Sequence, residues 1–101
     1  MPTLTFNAAD VPPGSTREYF VGDRLVLVAN LAGEFYALQG SCTHEDLPLA
    51  GGKFFENVIA CPHHGSRFNV CTGKVLTPPA EENLRTYPVR LEGERVVVTI
   101  S

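Results

Sequence analysis

The chain has 101 residues, 44% of them hydrophobic, and a formal net charge of −3. This length suits one domain with a modest core, and the acidic balance argues against a surface for nucleic acid or an anionic membrane. No apolar run approaches the ~18 residues of a membrane span, and the first residues lack the basic patch and apolar stretch of a signal peptide, so we expect a cytoplasmic protein.

The first part of the chain is predicted to form β-strands. Leu4 and Phe6 alternate with threonines, a pattern typical of a short half-buried strand. A second strand is predicted at 17–21. Residues 24–30 are too apolar and too rich in β-branched side chains for a strand with one solvated face, so this strand is expected to cross the core. It should form a hairpin with residues 35–38.

The middle of the chain, residues 40–79, has a different character. Regular strands are predicted only at 58–60 and 67–69, and glycines mark tight turns. These glycines are Gly40, Gly51, Gly52, Gly65 and Gly73. Pro78 and Pro79 form a rigid segment because their rings fix φ, and we expect this segment to close over a functional site in the same region.

The strand pattern resumes after Leu84. We predict strands at 87–91 and 95–100, joined by a turn at 92–94. Two strand-rich flanks around a glycine-rich section indicate an all-β domain with an inserted subdomain. The predicted organisation is one domain, 1–101, with a base at 1–39 and 80–101 and a subdomain at 40–79.

Four potential metal ligands occur in two close pairs. The first pair is Cys42-x-His44, and the second, after sixteen intervening residues, is Cys61-x-x-His64. Thiolate and imidazole ligands suit transition metals and iron–sulfur clusters. Structural zinc modules usually pair like ligands, two cysteines on one knuckle and two histidines at helical spacing. Mixed pairs instead allow both thiolates to bind one iron and both imidazoles the other, which is the ligation of a Rieske [2Fe–2S] centre. A structural zinc site remains the alternative.

The residues after the second pair extend this pattern. They are Gly65-Ser66-Arg67-Phe68, Gly73-Lys74-Val75-Leu76 and Pro78-Pro79-Ala80. With the two pairs, they resemble the stand-alone Rieske ferredoxins of bacterial ring-hydroxylating dioxygenase systems. The resemblance implies a Rieske fold with three antiparallel sheets, in which the small cluster-binding subdomain is inserted in a larger β base. It also implies one [2Fe–2S] cluster held by Cys42, His44, Cys61 and His64, with His63 beside the ligands.

The ligand set and its neighbours indicate a potential in the low part of the Rieske range. Two thiolates and two neutral imidazoles leave the oxidised cluster uncharged, so its potential should lie in the Rieske range of roughly −150 to +300 mV rather than near the −400 mV of plant-type ferredoxins. High-potential relatives have a disulfide between the loops and a tyrosine that donates to a ligand sulfur. Leu47, His63 and Phe68 occupy the matching positions here. Ser66 remains either a sulfide donor or a turn former.

Other polar residues near the motif have two interpretations each. His63 is either a surface loop residue or a contact for a partner. Cys71 is either a small side chain, packed or partly exposed, or a redox switch. The acidic residues beside the cluster loop and the proline segment are either solvated charges or a docking surface, with basic Lys53, Arg67 and Lys74 in the same region. These acidic residues are Glu45, Asp46, Glu81 and Glu82.

The chain lacks the residues for oxidation chemistry of its own. A mononuclear oxygenase iron would need two further histidines and a carboxylate, but the chain has three histidines in all, and no dinucleotide-binding fingerprint. We therefore expect an electron carrier, monomeric and not an enzyme. The resemblance implies brief contacts with an NAD(P)H-dependent flavoprotein reductase and a terminal oxygenase, whose aromatic substrate no residue reveals. The alternative is a Rieske-like small subunit of a nitrite-reductase-type complex.

Overall fold

The computed structural model describes residues 2–43, 47–63 and 65–100, and its regular structure is almost entirely β-strand. A single-turn 3-10 helix at Ala8–Asp10 follows the first strand. No helix within these ranges has the length and apolar character needed to cross a membrane. The strands are β1 (Thr3–Asn7), β2 (Thr16–Val21), β3 (Arg24–Leu31), β4 (Glu34–Gln39), β5 (Phe54–Phe55), β6 (Val58–Ala60), β7 (Arg67–Asn69), β8 (Val75–Thr77), β9 (Thr86–Tyr87), β10 (Val89–Glu92) and β11 (Arg95–Thr99).

The strands form three sheets in which every neighbouring pair is antiparallel. The first sheet has the order β1-β11-β10, the second β2-β3-β4-β9 and the third β5-β6-β7-β8. The predicted all-β fold with three antiparallel sheets is therefore confirmed. All strands of the third sheet lie between Phe54 and Thr77, whereas the other two sheets combine strands from both ends of the chain. The domain boundaries at 40 and 79 stay a prediction.

The second sheet lies between two hydrophobic cores because β3 is buried on both faces. Val26 and Val28 belong to the core shared with the first sheet, whereas Leu27 and Ala29 belong to the core shared with the third sheet. Successive side chains of a strand point to opposite faces, so one apolar strand can serve both cores. This confirms that residues 24–30 cross the interior. The third sheet packs against one buried face of β3.

The predicted strand at 87–91 is wrong as a single element. Thr86 and Tyr87 pair with β4 in the second sheet, whereas Val89–Glu92 pairs with β11 in the first sheet. Pro88 separates the two segments, since proline has no amide hydrogen to continue a ladder. The chain therefore changes sheets at this residue. The short strands Phe54–Phe55 and Val75–Thr77 were also not predicted, whereas those at 58–60 and 67–69 have the predicted bounds.

Two glycines of the central section are required by close approach of the protein's own backbone. A Cβ on Gly52 would collide with the carbonyl oxygen of Ala60, and one on Gly73 would collide with that of Leu84. The Gly73 carbonyl also accepts a hydrogen bond from the Leu84 amide at 2.7 Å. Gly73 therefore connects the turn between β7 and β8 to the segment that follows Pro78 and Pro79.

Replacing Gly73 with alanine should destabilise the protein more than the same change at Gly93. Both glycines have positive φ, 78° and 66°, so each variant carries a left-handed penalty of about 1–2 kcal/mol. Only at Gly73 does the added methyl meet a backbone atom, which should cost about 1–3 kcal/mol more. We expect the thermal midpoint of Gly73→Ala to lie at least about 4 °C below that of Gly93→Ala. Equal midpoints would contradict the close approach.

Candidate metal centre

Two loops of similar construction carry the predicted cysteine ligands. The Cys42 amide donates a hydrogen bond to the Leu47 carbonyl at 2.8 Å, and the Cys61 amide donates to the Ser66 carbonyl at 2.7 Å. In each loop the cysteine amide thus bonds a carbonyl five residues further on, from 42 to 47 and from 61 to 66. Each cysteine is fixed at the base of a closed loop that also contains a predicted histidine in its sequence.

Both cysteines are buried at the same hydrophobic core. Cys42 is 2% exposed and Cys61 4% exposed, and both belong to the core between the second and third sheets. By contrast, Pro62 and His63 of the second loop are exposed. The structure therefore brings Cys42 and Cys61 into one core, with surface residues of the loop directly beside Cys61.

The predicted histidine ligands cannot be placed in the same way. His44 and His64 lie outside the described residues, as do the acidic residues Glu45 and Asp46. The ligand set of Cys42, His44, Cys61 and His64 thus stays a prediction, of which the structure describes the two sulfur positions.

A segment after Pro79 ties the two cysteine loops together. The Ala80 amide donates to the Ser66 hydroxyl at 3.0 Å in a buried position. The Thr43 hydroxyl donates to the Glu82 carbonyl at 2.7 Å. One segment is therefore hydrogen-bonded to a residue of each loop, which fixes the position of one loop relative to the other. These contacts were not foreseen from the sequence, because no local pattern signals a bond between residues 39 positions apart.

Ser66 has a structural role in this arrangement. Its side chain is completely buried, and its oxygen accepts the Ala80 amide hydrogen. A serine hydroxyl that accepts one hydrogen bond still has its own proton to donate. The structure therefore shows Ser66 as a link between loop and proline segment, while its role as a sulfide donor stays a prediction.

One large side chain packed with the two cysteines has no hydrogen-bond donor. Phe68 is fully buried in the same core as both cysteines and has no hydroxyl. None of the three cysteines, all in described parts of the chain, forms a disulfide bond. Leu47 and His63 have no thiol, so these two positions cannot form the disulfide that joins the loops in the high-potential relatives.

Cys71 differs from the two buried cysteines in its exposure to solvent. It is exposed, and its amide donates to the Asn69 side chain at 2.8 Å in the turn after β7. Nearby, the Tyr36 hydroxyl donates to the Glu34 carboxylate at 2.8 Å. This hydrogen bond raises the pKa of Tyr36 above its ordinary value, and a hydrogen bond between Tyr36 and Cys71 raises it further. Cys71 therefore belongs to a surface cluster with Tyr36, and nothing in its position suggests a ligand.

Two buried cysteines in similarly closed loops fit the binding of a metal group with thiolate ligands. A buried thiol alone is an ordinary small apolar side chain. Here, however, each cysteine begins a loop whose sequence includes a histidine, and a third segment holds the two loops together. Metal ligands are usually held in position by such outer contacts. The two described sulfur positions and the contacts that support their loops thus fit a site for such a group.

Comparison with protein families identifies the centre. Residues 2–88 match the family described as Rieske [2Fe-2S] domain. The chain belongs to the Rieske [2Fe–2S] domain family. This match confirms the predicted cofactor, one Rieske-type [2Fe–2S] cluster. It also confirms the resemblance to Rieske proteins that the sequence motifs indicated.

Relatives of this Rieske protein include components of dioxygenase systems. It is 39% identical over 97% of its length to the biphenyl dioxygenase ferredoxin subunit of Pseudomonas sp. (strain KKS102), of which 94% is covered. It is 36% identical over 91% of its length to the naphthalene 1,2-dioxygenase system ferredoxin component of Pseudomonas aeruginosa, of which 88% is covered. Similarity therefore extends over nearly the whole of each chain.

Solved structures give the same result. A chain in a complex of reduced oxygenase and oxidised ferredoxin of carbazole 1,9a-dioxygenase matches with a TM-score of 0.89 and 35% identity, covering 95% of this chain and 91% of the other. The ferredoxin of carbazole 1,9a-dioxygenase from Nocardioides aromaticivorans IC177 matches with a TM-score of 0.91 and 27% identity, covering 96% and 95%. The Rieske fold predicted from the resemblance is thus confirmed.

Removing the Ser66 hydroxyl should destabilise this Rieske domain more than removing the Thr43 hydroxyl. Ser66→Ala leaves the buried Ala80 amide without its acceptor, which should cost about 1–3 kcal/mol. In Thr43→Val the Glu82 carbonyl is at an exposed site where water can replace the donor, so the loss should be below about 1 kcal/mol. Thermal unfolding of the iron-loaded variants measures the difference. Equal shifts would contradict the assigned role of Ser66.

Proposed function

We propose that this Rieske protein is a one-electron carrier between an NAD(P)H-dependent flavoprotein reductase and the Rieske cluster of a terminal ring-hydroxylating oxygenase. The observation that supports it most is the near full-length similarity to ferredoxin components of naphthalene and biphenyl dioxygenase systems. A similar chain has also been solved in complex with the oxygenase of carbazole 1,9a-dioxygenase. The carrier has no catalytic residues of its own and works as a monomer.

Cys42, His44, Cys61 and His64 are the residues that would hold the cluster, and the bound cluster supplies a site that gains and loses one electron. The chain's own contribution is position and shielding. Buried Cys42 and Cys61 keep the sulfur ligands away from water, and the Ser66 and Thr43 hydrogen bonds hold their loops. In such buried surroundings, hydrogen bonds to the ligands would tune the redox potential of the bound cluster.

The exposed loop residues form the surface at which a partner approaches. Pro62 and His63 are exposed immediately beside buried Cys61, and Glu81 and Glu82 are exposed in the segment bonded to both loops. His63 is therefore a surface residue, which agrees with both interpretations made from the sequence. Contacts of a carrier should be small in area, below about 1,200 Å² in total, because the complex must dissociate after each transfer.

A subunit of a nitrite-reductase-type complex is less well supported. A putative nitrite reductase small subunit matches with a TM-score of 0.83, but the identity is 15%, so this similarity concerns the fold alone. The carrier function is supported by relatives at 36% and 39% identity. Gel filtration of native extract separates the alternatives. A carrier elutes as a single small chain, whereas a fixed subunit elutes with its complex.

Replacing His64 with serine should abolish the Rieske cluster signal, whereas replacing His63 with serine should preserve it. The two histidines are adjacent, so the pair controls for general damage to the loop. We expect His64→Ser to lose iron and acid-labile sulfide, together with the electron paramagnetic resonance signal of the reduced cluster. Normal iron, sulfide and signal in His64→Ser would contradict the proposed ligand set.

The carrier function is tested by reconstitution. The iron-loaded protein is mixed with NADH or NADPH, a flavoprotein reductase and the terminal oxygenase of the naphthalene, biphenyl or carbazole systems. We expect aromatic hydroxylation by at least one oxygenase only when the protein is present, and uptake of one electron per chain in a dithionite titration. No hydroxylation with any of them, despite full iron content, would contradict the proposal.

A further inference from the structure

The third sheet has one face in the core and one face towards the surroundings. Ile59 and Phe68 are opposite each other in the ladder and are fully buried. Strand alternation places the neighbouring side chains on the outer face. There Phe55 is opposite Val58, and Ala60 is opposite Arg67.

This outer face contains a groove with an exposed aromatic ring. Phe55 is 66% exposed, although phenylalanine is usually buried, and Val58 and Ala60 beside it are half-buried. Charged side chains border these apolar groups. The groove, here called the Phe55 groove, is lined by Lys53, Phe55, Glu56, Val58, Ala60 and Arg67.

The turn at one end of the groove is held in a fixed conformation. Glu56 has a φ of 54°, a left-handed conformation that is costly for a residue other than glycine. The next residue, Asn57, accepts a hydrogen bond at its carbonyl from the Val70 amide at 2.8 Å. Phe55 therefore lies beside an anchored turn. Binding of a partner to its ring should cost little conformational entropy in the backbone of this turn.

The charge of the groove differs from that of the whole chain. The chain has 11 acidic and 8 basic residues, whereas the groove has two basic residues, Lys53 and Arg67, and one acidic residue, Glu56. A basic border around an apolar centre is complementary to an apolar side chain flanked by carboxylates. Such complementarity increases the rate and selectivity of association more than the affinity itself.

The groove is continuous with the second cysteine loop. Ala60 directly precedes Cys61 and Arg67 directly follows Ser66, so both strands of the groove lead into this loop. Val58, opposite Phe55, is three residues before Cys61, or about 10 Å along a strand. A contact of about 600 Å² on each protein corresponds to a radius of about 14 Å. A partner centred on the loop therefore reaches Phe55.

We propose that the Phe55 groove is a docking site for the terminal oxygenase, and that it receives an apolar side chain flanked by carboxylates. This inference rests on the proposed carrier function. The oxygenase is chosen over the reductase because a similar chain is found in a solved complex with an oxygenase. Phe55 and Arg67 set the affinity for the oxygenase, and neither is one of the predicted metal ligands.

The test uses the oxygenase that accepts electrons from the wild-type carrier in the reconstitution above. Turnover is measured against carrier concentration for Phe55→Ala and for Phe20→Ala. Phe20 is a matched control, since it is 69% exposed but lies on β2 in a different sheet. We expect KM for the carrier to rise about tenfold in Phe55→Ala with little change in kcat, and to stay unchanged in Phe20→Ala.

A charge series examines the basic border. Arg67→Gln and Lys53→Gln should raise KM, and the rise should shrink at high salt, while Lys74→Gln serves as an exposed control outside the groove. All variants are first checked for wild-type visible and electron paramagnetic resonance spectra. Phe55→Leu, which keeps an apolar side chain, should recover most of the loss caused by Phe55→Ala.

Several outcomes would overturn the inference. An unchanged KM for Phe55→Ala, while the wild type supports turnover, rejects the groove but leaves the carrier function intact. Equal rises for Phe55→Ala and Phe20→Ala reject a specific site. An equal rise in the KM for reduction by the reductase rejects the assignment to the oxygenase. If the wild type supports no oxygenase, the carrier function itself fails and the groove proposal fails with it.

Discussion

The hydrogen bond from the Ala80 amide to the buried Ser66 hydroxyl is the constraint on which the metal centre depends. It connects the second cysteine loop to the segment after Pro79, and the Thr43–Glu82 bond connects the same segment to the first loop. The segment relates the two loops in addition to the core that Cys42 and Cys61 share. A cluster that needs ligands from both loops requires their separation to be fixed, and the segment provides that.

The base of the protein supplies a rigid support for this arrangement. Strand β3 contributes side chains to both cores, so the second sheet is packed on both faces. Cys42 and Cys61 belong to the core on the side of the third sheet, together with fully buried Phe68. The sulfur positions are therefore part of a close-packed interior, and small changes in packing there should be felt at the centre.

The two surfaces around the second loop differ in chemistry. On one side lie the exposed prolines and acidic residues of the 78–82 segment, including Glu81 and Glu82. On the other lies the Phe55 groove with its basic border. The proposed carrier function requires contact with two proteins in turn, and two different flanks offer a physical means of distinguishing them. Electrostatic complementarity acts mainly on such selection.

The sequence by itself determined the chemistry of the site and much of the local structure. The mixed Cys-x-His and Cys-x-x-His pairs indicated the cluster, and apolar periodicity located β3, β6 and β7, because these signals lie within a few neighbouring residues. Only the tertiary structure decided which sheet each strand joins. Pro88 divides one predicted strand between two sheets, and the partners of Ser66 and Thr43 are 14 and 39 residues away. Such pairings depend on how the whole chain packs, which no local pattern encodes.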